Sequence, residues 1–241
     1  MALPARSEQP ILFWILLLVV SLTPLPYGSA YAWAWGLMAS VVGVLLLIWS
    51  GRVILGLQEV TIGLQRTWFL VVPFILVIGW IALQTSSLPP WRWHHPLWQT
   101  AREALGTDFS GAISLNPYQS VSHLARLLGY GAIFWLALQY CRKSVRAKQV
   151  LFALAAAGFV YAVYGLIEMT FFAPAKAAGL ASTFVDAEAY ASYAGLTLLC
   201  LTALIQVAVA QKTKTVLSLM TRDAFTAQGL AAGAAMEKPR L

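Results

Sequence analysis

Charge is what this 241-residue sequence most lacks: only 10% of its residues are Asp, Glu, Lys or Arg, against 60% that are hydrophobic. Soluble domains carry about 25% charged and about 45–50% apolar residues, which excludes both a soluble enzyme and a disordered segment. Cysteine is nearly absent. Cys141 and Cys200 each lie inside an apolar stretch, so there is no disulfide framework and no metal-ligand spacing. Acids are outnumbered by bases, giving a formal charge of +7. The bases fall between hydrophobic runs, where such charge sets membrane topology, so no nucleic-acid partner is expected.

What remains is long apolar runs, and these predict an integral membrane protein whose first partner is the lipid bilayer. A hydrocarbon core needs ~20 apolar residues per helix. Five runs qualify: 31–50, 67–84, 124–141, 150–173 and 190–211. A sixth, Ile11 to Thr23, is apolar but short. It reads as a first helix, with a signal-peptide core ending near Gly28-Ser29-Ala30 as the alternative. The expected fold is all-α, a polytopic transmembrane bundle of about six spans over residues 1–211, followed by a short cytoplasmic tail, 212–241. Counting Lys and Arg by alternate loops gives twelve on one side and four on the other. The positive-inside rule then makes both termini cytoplasmic. The Arg142–Lys148 turn is the strongest single determinant.

Two connecting segments stand out. Residues 51–66 place Val53, Leu57, Val60 and Leu64 on one helical face, which suits either a surface helix or a loop. In the outer segment, residues 86–118, prolines forbid a regular helix near Leu88–Trp98, and Trp91, Trp93 and Trp98 suit the headgroup layer. His94 and His95, adjacent to one another, make a poor metal site.

Ionisable groups within spans are expensive unless paired or solvated, and two occur: Arg126 and Glu168. If their helices form an antiparallel hairpin about Val145, the two differ by only ~6 Å in depth near the outer face. His123, Arg126 and Tyr130 share one helical face, as do Tyr161, Tyr164 and Glu168. Three readings stay open. Arg126 pairs with Glu168 to fix packing, or snorkels to the headgroups, or grips an anionic head group at the outer leaflet. In the last case Arg92 assists, and His123 is the histidine placed to act as a base. Asp186 and Glu188 are expected to favour the start of the last helix through its dipole. No catalytic residue can be assigned from spacing.

Several segments resemble the O-antigen ligase family of bacterial polysaccharide ligases and polymerases. They are Ser114-Leu115-Asn116-Pro117-Tyr118, the helix ending Phe134–Tyr140 before a basic turn, and Tyr161–Glu168. The fourth is Ser182-Thr183-Phe184-Val185 leading into Tyr190–Leu196. The resemblance implies an inner-membrane protein that helps transfer a glycan from a polyprenyl-diphosphate carrier to an acceptor at the periplasmic face, without a cofactor. Two departures accompany it. Asp186-Ala187-Glu188 stands where the family pattern reads Asn-Arg-Asn. The family's large outer loop, with its essential Arg and His, has no counterpart in 212–241. The resemblance is therefore to the amino-terminal half, and the chain is expected to be truncated or to depend on a partner membrane protein. The alternative is a non-catalytic scaffold or assembly subunit.

Overall fold

The computed structural model describes residues 10–108, 110–172 and 181–236, and these contain helices and no strand. The chain is an all-α, multi-pass membrane bundle. Seven α-helices follow in order: α1 (Pro10–Leu22), α2 (Ala32–Ile54), α3 (Leu64–Thr85), α4 (Leu97–Leu105), α5 (Pro117–Tyr140), α6 (Ser144–Ile167) and α7 (Ala187–Met236). Five of these, α2, α3, α5, α6 and α7, are long and apolar enough to cross a bilayer. The first run forms α1, whose 13 residues span only ~20 Å.

Most helices begin earlier than hydropathy alone suggests, and for α5 a cap explains why. Asn116 accepts a hydrogen bond from the Gln119 amide at 3.1 Å, and Pro117 occupies the first turn, where its missing N–H is harmless. The helix thus starts seven residues before the apolar run. α7 continues without a break past Gln211-Lys212 to Met236, so the basic segment is helical. Residues 55–63 form a loop, not a surface helix. Gln139 explains its shape. This buried side chain accepts from the Thr61 and Ile62 amides at 2.9 and 3.3 Å and donates to the Ile62 carbonyl at 3.0 Å. Arg142 donates to the Thr61 carbonyl.

The packing order departs from the chain order. α5 and α6 are joined by three residues yet make little contact. α1 touches both, while α5 packs on α2 and α3, and α6 packs on α7. Small residues set these seams. The Phe74 ring fills the notch over Gly131, Thr197 lies against Gly158, and Ala39 faces Gly129. The core gathers at the basic end: Leu12, Phe13, Leu16 and Leu17 of α1 meet Val42, Leu45 and Trp49 of α2 and Leu136 and Tyr140 of α5. α1 is therefore built into the core. The outward faces of α3 and α7 expose Phe69, Ile75, Leu76, Leu198 and Leu199, as lipid-facing helices do.

Candidate functional site

At the opposite, outer end the packing turns polar and aromatic. α1 ends, and the chain reverses through Tyr27, Gly28 and Ser29, all in the left-handed region with φ of 52°, 62° and 57°. Each non-glycine residue there costs about 1–2 kcal/mol. Local bonds hold the turn, with Ser29 Oγ donating to the Thr23 carbonyl at 2.7 Å. Only glycine fits at position 28, because a Cβ there would meet the Phe184 ring.

Arg126 reaches this turn from α5. It lies nine residues, ~13 Å, inside the outer end of its helix. Its Nη2 donates to the Ala30 carbonyl at 3.4 Å, its guanidinium stacks 4.8 Å from the Trp35 ring centroid, and its buried Nε has no protein partner. It does not pair with Glu168, which opens a π turn, Glu168–Phe172, beyond α6. The hairpin argument placed their depths together but assumed that sequential helices pack. α1 lies between those helices instead, and Arg126 faces α2. Of the three readings, the ion pair is the one not formed.

On the other side of the 27–31 turn stand four segments that the sequence keeps apart. Tyr161 of α6 donates through its hydroxyl to the Ser21 carbonyl at 2.9 Å, and its own carbonyl accepts from Ser182 Oγ at 2.6 Å. Ser182 is another left-handed non-glycine residue, φ 52°. The Tyr161 ring meets Tyr193 edge-on at 5.9 Å, and Phe184 lies against both Tyr190 and Tyr193. Ser21 Oγ, Thr183 Oγ1 and Tyr193 Oη are buried here without protein partners, as is Trp35 Nε1 beside Arg126. Buried polar atoms normally find hydrogen bonds, so this group of donors and acceptors is suited to water or a polar ligand.

The remaining candidates scatter. His123 and Tyr130 are exposed on α5, away from the Arg126 contacts, although Tyr130 lines an apolar cleft between α2, α3 and α5. Arg92 is exposed in the 3-10 turn Trp91–Trp93. None of the three joins Arg126 through a hydrogen bond. Asp186 immediately precedes α7 and Glu188 sits in its first turn, where the helix dipole favours negative charge. Burial pushes the Cys141 thiol up in pKa against the opposing charge of Arg146, away from a reactive thiolate. Among the described residues no three His, Cys, Asp or Glu side chains converge as metal ligands.

Sequence reasoning found Arg126 because a charge in a span is conspicuous. It missed Trp35, Ser21, Tyr193 and the left-handed turn, which carry no linear signal beyond Gly28. Against protein-family models, curated proteins and solved structures alike, the chain finds no match.

Proposed function

We propose that this chain is an O-antigen-ligase-like membrane protein of cell-surface polysaccharide assembly, and that Arg126 at its outer end handles the diphosphate of a polyprenyl-linked glycan. The observation that carries this reading is Arg126: a cation inside a membrane-spanning helix, without a carboxylate partner, stacked on Trp35 and keeping donor capacity. A planar guanidinium offers two parallel N–H donors to phosphate oxygens, and an adjoining low-polarity wall strengthens that attraction. Hydroxyls of Thr183, Tyr193 and Ser21, on the other side of the 27–31 turn, suit the hydroxyl-rich neighbour of such a phosphate. Support also comes from the segments Tyr161–Glu168 and Ser182–Val185, which carry the resemblance and touch in space.

In this reading Arg126 binds and orients the anionic leaving group, and no residue is assigned as the base. The test is complementation of a strain lacking the gene, reading the length ladder of surface polysaccharide. Wild-type chain restores the ladder, while Arg126→Ala, present at normal level in the membrane, does not. A ladder restored equally by Arg126→Ala overturns the reading. Stable co-purification of a partner membrane protein in that case would favour the scaffold alternative.

A further inference from the structure

The outer segment between α3 and α5 is a built object. Its far end is tied to the end of α3, since the Ser114 amide donates to the Gln84 carbonyl at 3.0 Å. Trp98 Nε1 donates to the Ser114 carbonyl at 3.1 Å, the His95 amide donates to the Ala112 carbonyl at 3.0 Å, and His94 Nε2 lies 2.9 Å from the Pro89 carbonyl. Gly111 gives Trp98 and His94 their room, because a Cβ there would press on both. These ties keep the segment at the level where two spanning helices leave the hydrocarbon.

α4 lies within it and is strongly two-faced. Leu97, Trp98, Ala101, Ala104 and Leu105 occupy one stripe of about 120°, with Gln99, Thr100, Arg102 and Glu103 opposite. Trp98 is spent on the segment's own fold. Leu97 and Leu105 are not: they are 51% and 68% exposed, beside Trp91 and Trp93 at 70% and 55%. Water is a poor neighbour for that edge, and the adjacent bilayer surface is a good one. Indole rings favour the headgroup level, and the nearby Arg92 and Arg102 suit lipid phosphates.

We infer that α4 is an interfacial helix, lying flat on the outer leaflet with Leu97, Ala104 and Leu105 in the headgroup–acyl boundary and Trp91 and Trp93 anchoring its approach. The occupant of this apolar edge is lipid. This inference is independent of what Arg126 binds.

The experiment uses the full chain in phosphatidylethanolamine–phosphatidylglycerol vesicles, with Cys141→Ala and Cys200→Ala as background. Single cysteines at positions 97, 104 and 105, and at 99 and 103, carry an environment-sensitive fluorophore. Lipid-borne nitroxide should quench the first three at least about twofold more than the other two, and aqueous iodide should do the reverse. Equal quenching at all five positions overturns the inference. Protection at 97, 104 and 105 that grows with the protein-to-lipid ratio, without nitroxide quenching, overturns it in favour of a second copy of the chain.

Discussion

The two ends of the bundle are built on opposite terms. At the basic end Leu136 and Val42 are almost wholly buried, and Gln139, a deeply buried amide side chain, has its oxygen and nitrogen satisfied by the 55–63 loop. At the outer end the backbone turns left-handed at Tyr27, Ser29 and Ser182, whereas buried polar atoms without protein partners occur at both ends, Trp49 Nε1, Arg52 Nε and Gln58 Oε1 among them at the basic one. Strain and unmet hydrogen bonds persist only where the surrounding structure over-determines them. Here α1 supplies the restraint, because its apolar face is locked into the basic-end core and holds the turn that follows it. The lesson is one of division: the apolar core lies at one end, and the strained backbone with its aromatic cluster lies at the other.

The largest expected effect falls on the holding end. Leu136→Ala should cost about 2–5 kcal/mol, because the cavity it leaves is walled by α1, α2 and α5 at once. A thermal unfolding scan in detergent checks this; a shift no larger than that of an exposed control such as Leu198→Ala would break the comparison. Next comes the seam beside the outer-end tyrosines. Gly158→Val puts side-chain atoms into Thr197 and should cost about 1–3 kcal/mol, since α7 packs mainly along α6. Cross-linking between cysteines placed on α6 and α7 would report the separation.

Gln139→Leu sharpens the contrast, removing the acceptor of the Thr61 and Ile62 amides at a cost of about 1 kcal/mol. Limited proteolysis should then cut the 55–63 loop faster while leaving the outer segment unaffected. Arg126→Ala should be the mildest of the four for stability, about 0.5–1 kcal/mol from the lost Trp35 stacking. A melting temperature near wild type with the polysaccharide ladder lost would separate holding from handling. A melting loss as large as that of Leu136→Ala would show that Arg126 holds the fold instead.

Apolar runs made the membrane class and the five long spans legible without coordinates. Those properties depend on transfer of each segment into hydrocarbon, a local sum along the chain. Helix starts were partly legible. Asn116-Pro117 and the acids at Asp186 and Glu188 are local capping signals, whereas hydropathy alone placed the start of α5 seven residues late.

Which helices touch was not legible. Arg126 and Glu168 share a depth because rise per residue fixes depth, but pairing needs their helices side by side, and α1 prevents that. Nor does any run of sequence announce that Ser21, Trp35, Tyr161, Ser182 and Tyr193 gather about one left-handed turn. Depth is one-dimensional and adds up residue by residue. Adjacency is decided by how notches such as Gly131 and Gly158 accept their neighbours, so only the folded bundle fixed it.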